Sequence, residues 1–486
     1  MTAMNTTPHA AGCPHRPNEP APSSAPRQPG AWPPGPRAGL TGWGLLLRMS
    51  RDPLQALAEW RQRHGDVVHL RIWPEHEIVL SDPALVRELL VGHHDDLVRW
   101  EHGIAVFSQI HGRSVLVSEG AAWRAQRQAL QPAFAPKSVQ SLLPLVAATA
   151  AQALARWPQA VACWPIEQAF TELALNVIGR LLFTDALEAE APALARAART
   201  LGVVANSEFY WPASWPDAMP WKRPKREAMS LLRGLVERQL GARLALPPPD
   251  RPDDLLTRLL QRHHADPQAW PLQAVRDECM TALLAGHETV AATLAWWAWC
   301  MAQHPEIQRR AAAEVDARLQ GRLPTADDLE AMPLLAQTLL ETLRLYPAAP
   351  LLLTRRAIRP ITLGPWHFPA RTLFMVAVQL LHSDPRHFDE PLAFRPERHG
   401  PGAPEIPRGA FLPFGAGPRV CLGQHLALAE MGVIAALLLQ GRELSLAPGQ
   451  AEPRPVVNVT LRPAQPLALG LSTRGVARVS SRPAAA

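Results

Sequence analysis

Cys421 lies in the run Phe414-Gly-Ala-Gly-Pro-Arg-Val-Cys-Leu-Gly423, where a glycine-punctuated loop gives way to an apolar stretch, Leu422 to Leu439, with helical patterning. A sulfur at a helix start faces unpaired backbone N–H groups and the positive end of the helix dipole. Both favour thiolate over thiol, and thiolate is the metal-ligating form. Gly417 and Gly423 let the backbone turn tightly and approach a flat partner, and Arg419 offers that partner's carboxylate a fixed cation. The plain alternative is a buried structural cysteine, the common fate of a free thiol.

Three further groups could do chemistry. Glu341 and Arg344 stand three apart, so on a helix they share a face, can bond each other and still reach a third partner. Glu306 and Arg309 have the same spacing, so spacing alone decides nothing; the later pair is followed by Leu-Arg-Leu-Tyr-Pro and lies upstream of Phe394-Arg-Pro-Glu-Arg398. Ala285-Gly-His-Glu-Thr289 breaks helix rules inside a strong helical pattern, with a glycine and then a β-branched hydroxyl residue. Such local conflicts are expected at functional positions, although a bent core helix would look the same. Trp123 and Arg127 put a donor-only indole and a permanent cation on one helix face, a pair suited to a carboxylate.

The order Phe-x-x-Gly-x-Arg-x-Cys-x-Gly resembles the haem-binding loop of cytochromes P450, and Phe414, Gly417, Arg419, Cys421 and Gly423 match its fixed positions. The resemblance runs from about residue 40 onward. It implies a mainly α (α+β) cytochrome P450 fold, a triangular helical bundle with small segregated β-sheets around a buried haem b whose axial thiolate is Cys421. It also implies that Glu341 and Arg344 lock with Arg398 as structural supports of the haem loop. His399 stands where the family usually shows Phe, a departure that concerns loop packing. By the same resemblance Thr289 hydrogen-bonds oxygen at the iron, Glu288 relays protons, and His287 is a spacer. Trp123, Arg127 and Arg355 hold haem propionates, with Arg356 a close rival to Arg355. The implied activity is O2-dependent monooxygenation, hydroxylation or epoxidation, of an apolar substrate.

The elements that must position these residues are mostly helical. Patterning predicts helices at roughly 138–156, 166–183, 189–205, 226–246, 268–302, 305–319 and 331–346, after a shorter one from Pro53 to Arg63. Strands are expected at Val67–Trp73, Ile78–Ser81, Ile361–Leu363, Thr372–Val378, Val456–Leu461 and Leu467–Leu471. Few segregated strands among many helices read as α+β rather than as a doubly wound sheet. Phe209 to Pro224, with Tyr210, Trp211, Trp215 and Trp221 between prolines, reads as a non-helical lip, lid or membrane-surface contact, or as a loop packed on its own rings. The 99–115 loop, that segment and the residues after Pro347 are the expected pocket walls.

Composition bounds the rest. The first 40 residues, rich in Pro, Ala, Gly and Arg, read as a disordered leader, and residues 41–486 as one catalytic domain. Five scattered cysteines without a Cys-x-x-Cys pair argue against a disulfide framework or zinc site and suit a reducing, cytoplasmic setting. No run of about 20 consecutive apolar residues suggests a transmembrane anchor. A net charge of +6, spread along the chain, gives no concentrated stripe for nucleic acid; it could help dock an acidic protein. With no flavin or iron–sulfur segment in view, electrons are expected from a separate ferredoxin and ferredoxin reductase. Peroxide-driven or isomerising haem-thiolate enzymes, a non-catalytic haem sensor and a cysteine-nucleophile hydrolase are the competing readings.

Overall fold

The computed structural model describes residues 31–185, 187–210 and 217–474. Its centre is the helix Leu272–Gln303, buried along most of its length because apolar residues occupy nearly every face of its second half. Trp296, Trp297 and Trp299 are fully buried there. Two of these indoles find acceptors, Trp296 at the Leu461 carbonyl and Trp297 at the Thr338 hydroxyl, both at 3.0 Å. A buried indole N–H needs such a partner. Trp296 also stacks flat on Tyr346, with ring centroids 4.1 Å apart.

Helices Pro136–Ala155, Ile166–Phe183, Pro333–Leu345 and Gln424–Gly441 pack around this axis in one apolar cluster. The first and last of these four are, by length and composition, apolar enough to cross a membrane. Val146, Ala147, Ile434 and Leu438 show where that apolarity goes, since all are buried in the cluster.

A five-stranded sheet lies beside the helices in the order Val67–Ile72, Glu75–Leu80, Leu373–Val376, Arg355–Ala357, Leu97–Arg99. Glu75–Leu80 runs parallel to Leu373–Val376, and the remaining pairs are antiparallel. Three smaller sheets stand apart from it. The strands Leu97–Arg99, Val161–Trp164, Arg355–Ala357, Trp366–Phe368 and Arg442–Leu446 were not expected, being only three to five residues long. Val456–Leu461 is not one strand but a hairpin, Pro455–Asn458 and Thr460–Pro463, turned at Val459 with φ +61°.

Other boundaries also move. The expected 99–115 loop contains the helix Glu101–His111. The helix Ala191–Phe209 reaches the first residue of the supposed lip, where Phe209 meets Phe107 edge-on at 5.1 Å. Trp211 and Trp215 lie outside the described residues. The packed chain starts before residue 41, because Trp32 stacks on His69 and His76 at 4.5 and 4.4 Å.

Candidate active site

Cys421 sits just ahead of the helix Gln424–Gly441, after a tight turn Gly417–Arg419. Its N–H donates to the Phe414 carbonyl at 2.9 Å, so the loop closes on itself across the motif. Gly417 has φ +72°, and a Cβ there would lie 2.2 Å from the Leu90 carbonyl oxygen, so only glycine fits. Gly423 is different. Its φ is an ordinary −88°, and a Cβ would meet no protein atom within 4 Å. The turn therefore does not require glycine at 423; it is an open cradle beside the sulfur.

The sulfur is solvent-accessible, yet burial among its neighbours pushes the Cys421 thiol pKa up, against a Gly423 N–H and the Arg127 charge that pull it down. The helix-start position alone thus fails to produce the expected thiolate. A bound metal, which deprotonates a coordinating thiol, would be needed to overcome this desolvation.

Around the loop the structure gathers cations. Arg99 and Arg355 are directly opposite each other on adjacent antiparallel strands, a like-charge pairing that costs stability. The Arg419 guanidinium lies 3.8 Å from the Trp123 ring centroid, and that of Arg127 lies 5.9 Å from it on the helix Gly120–Leu130. Glu119 is the carboxylate among them, meeting Arg99 at 3.5 Å and bonding Arg419. Burial and the neighbouring guanidiniums hold Arg419 down to about 9 and Arg355 down to about 10. Arg356, the rival, turns the other way and is neutralised by Glu75 at 2.8 Å and Glu101 at 2.7 Å. Arg355 is therefore the member of the pair that joins the cluster.

This surplus of half-buried positive charge, beside a sulfur and an open cradle, fits a flat ligand with two carboxylates. It fits the haem that the motif implies. Arg99 escaped the sequence reading, because nothing in a three-residue strand signals it and only the strand register brings it opposite Arg355.

The buttress is closed by contrast. Arg344 grips Glu341 with two bonds of 2.8 and 2.9 Å, and both side chains are fully buried. Glu341 also accepts from Arg398 at 3.2 Å, the Arg395 N–H at 3.0 Å and His399 at 3.1 Å. His399 is thus a working member of the cluster, more than the packing change expected. Burial raises the Glu341 pKa, but the bonds from Arg344 and His399 outweigh it and hold the carboxyl below its usual value. Arg344 further donates to the carbonyls of His382 and Pro391, both at 2.7 Å. His382 connects onward, its Nδ1 to the Arg344 carbonyl at 3.2 Å and its Nε2 to the Leu412 N–H at 2.8 Å, at the threshold of the cysteine loop.

On the long helix the segment 285–289 remains regular helix. A Cβ at Gly286 would lie 2.9 Å from the end of the Ile178 side chain, which would have to shift to admit one. Ala285 is exposed although it lies mid-helix, and the Thr289 hydroxyl donates to its carbonyl at 2.9 Å. Glu288 points elsewhere, to Arg462 at 3.2 Å, which also holds Glu167 at 3.1 Å. Burial raises the Glu288 pKa and Arg462 opposes the rise. His287 is buried with its Nδ1 on the Leu283 carbonyl at 2.7 Å, consistent with a spacer.

A cavity of about 150 Å³ opens beside Arg99. All three expected walls contribute, through Ile104 and Phe107, through Phe209 and Tyr210, and through Leu351 to Thr354. Met49, Glu77 and Val459 are among the further lining residues that were not foreseen.

The sequence has recognisable relatives. The cytochrome P450 family model matches residues 33–469. Cyclooctat-9-en-7-ol 5-monooxygenase of Streptomyces melanosporofaciens is 32% identical over 444 residues, covering 89% of this chain and 94% of that protein. Cyclooctatin synthase of the same organism is 30% identical over 437 residues, covering 87% and 93%. A chloroplastic cytochrome P450 97B2 of Glycine max is 27% identical over 460 residues, covering 82% and 79%. A match that runs through cation cluster, long helix, buttress and cysteine loop alike leaves one assignment: the chain belongs to the cytochrome P450 family.

Proposed function

We propose that Cys421 is the axial ligand of a haem b whose propionates are held by Arg99, Arg127, Arg355, Arg419 and the Trp123 indole, and that the substrate is an apolar, terpenoid-like molecule. As a family member the chain is a haem-thiolate monooxygenase, using O2 and an apolar substrate. When bound, haem supplies the redox chemistry, with the thiolate favouring O–O cleavage. The observation that carries the site assignment is the uncompensated positive charge beside Cys421. Phe414 packs against the helical core and, through its carbonyl, fixes the Cys421 backbone. Gly417 sets the turn and Gly423 leaves room for the ring plane.

Thr289 is the hydroxyl that handles the proton next to reacting oxygen. It can turn its O–H away from the Ala285 carbonyl, on the side of the helix where Ala285 is exposed. Glu288 feeds protons to that region by swinging from Arg462, its carboxyl already biased by burial toward the protonated form. Glu341, Arg344 and Arg398 keep the loop in place. Electrons come from a separate ferredoxin and its reductase, docking on the Cys421 side, in a reducing cytoplasm. The names of the two Streptomyces relatives support the substrate class, one of them naming an alcohol as the compound oxidised.

The test is Cys421→Ala. The variant is expected to lose the thiolate absorption of the reduced, CO-bound haem and all NAD(P)H-driven product formation. Retention of that absorption would remove the assignment.

A further inference from the structure

Glu77 is an anomaly on its strand. Val79, two residues on and on the same face, lies in an apolar cluster with Met49 and Leu70, and alternation should place another hydrophobe at 77. A carboxyl stands there instead, 9% exposed, lining the cavity of about 150 Å³ whose other walls include Met49, Phe107, Phe209, Leu351 and Met375. Thr354, also in the lining, donates to Glu77 Oε1 at 3.2 Å. Thr354 is the hydrogen-bond partner of the Glu77 side chain among the described residues, so the carboxylate keeps acceptor capacity in the cavity wall. A buried carboxylate with one partner is costly, and a mostly apolar pocket with a few polar groups, here Glu77, Thr354, Arg99, Asn206 and Tyr210, is how binding sites fix orientation.

The lining contains no residue of the long helix Leu272–Gln303 or of the cysteine loop. Any part of a substrate held in the cavity would lie away from both of those elements. Resting on the monooxygenase reading above, we infer that Glu77, supported by Thr354, is a specificity residue that hydrogen-bonds a hydroxyl group at the unreactive end of an otherwise apolar substrate. Its charge opposes a carboxylic acid at that position. A cationic ligand is disfavoured by Arg99 in the same lining and by the guanidiniums beyond it. Burial, the strongest influence on it, pushes the Glu77 carboxyl up to about 7, which suits a neutral hydroxyl partner better than a fixed ion pair.

The experiment titrates the haem-loaded enzyme with decan-1-ol, 1-methoxydecane and decyltrimethylammonium at about pH 8, where Glu77 is largely ionised and accepts only. Affinity is read from the ferric haem spectrum and the oxidised carbon from the products. Decan-1-ol is expected to bind about tenfold more tightly than its methyl ether, the worth of one hydrogen bond to a charged acceptor, and to be oxidised far from its hydroxyl. Glu77→Leu should bring the ratio to about one and scatter the oxidised positions, and Glu77→Gln should lower it, because an amide N–H can also donate to the ether oxygen. Equal binding of alcohol and ether by the parent enzyme overturns the inference. So does a preference that survives Glu77→Leu, or tighter binding of the quaternary ammonium. The thiolate absorption of the reduced, CO-bound form is measured in each variant: intact absorption with no alcohol preference defeats this inference alone, whereas its absence from the parent defeats the haem-thiolate reading.

Discussion

Two arginine clusters in this protein are opposites. Around Glu341 the charges are satisfied: one carboxylate takes bonds from Arg344, Arg398, His399 and a backbone N–H, and the Arg344 fork ends on carbonyl oxygens. Around Arg355 they are not, because Arg99, Arg127, Arg355 and Arg419 have Glu119 as their carboxylate. A closed cluster is a fastening, since nothing remains for a ligand to add. An open one stores repulsion that an anion relieves. The same residue type thus suits a fastening in one place and the proposed ligand in the other, and the deciding quantity is the local charge balance.

Glu341→Ala should give the largest effect, leaving Arg344 buried and unpaired at a cost of about 3–5 kcal/mol. Haem-bound protein should fall steeply, and so should the melting temperature of whatever folds, measured by calorimetry. A variant as stable as the parent would mean that the cluster is not a fastening. Arg355→Leu tests the open cluster and should show a change of sign. Without haem the variant should melt no lower than the parent, because a strained like-charge pair is gone. With haem it should release the cofactor to apomyoglobin about tenfold faster, for loss of a charge-assisted bond. Destabilisation in both states would place Arg355 with the supports.

The smallest effect is acid dependence. The Glu341 carboxyl is held below its usual value when folded, so its contribution is fully present above the unfolded value of about 4.3 and is lost as pH falls through the lower folded value. Melting temperatures of the parent should drop across that interval, and those of Glu341→Gln should drop less. Equal slopes would remove Glu341 from the acid response.

The closed cluster was largely legible in the sequence, for a physical reason: Glu341 and Arg344 lie on one helix, where spacing dictates contact, and Arg398 follows within a short motif. His399 was visible as a departure, but its bond to Glu341 depends on how the turn after Pro396 folds. The open cluster was half legible. Trp123, Arg127 and Arg419 could be named from motifs, whereas Arg99 and the choice of Arg355 over Arg356 depend on register in a sheet of very short strands. Long helices such as Ile166–Phe183 and Pro305–Leu319 declared both ends through periodicity and proline. Glu77 offered no signal, since the expected strand began at Ile78 and the observed one starts three residues earlier, under the helix carrying Met49.

The His382 imidazole carries one more consequence. Because a carbonyl can only accept, Nδ1 must bear the hydrogen toward Arg344, and Nε2 must stay bare to receive the Leu412 N–H. The ring is therefore locked in one tautomer, a rigid spacer with a donor at one end and an acceptor at the other. A second proton would set two hydrogens face to face at Leu412, and burial resists it down to about pH 3. The alignment of the cysteine loop with its buttress is thus indifferent to any acidity a cell presents, and glutamine, which offers both groups on a slack chain, would keep the bonds while loosening the spacing.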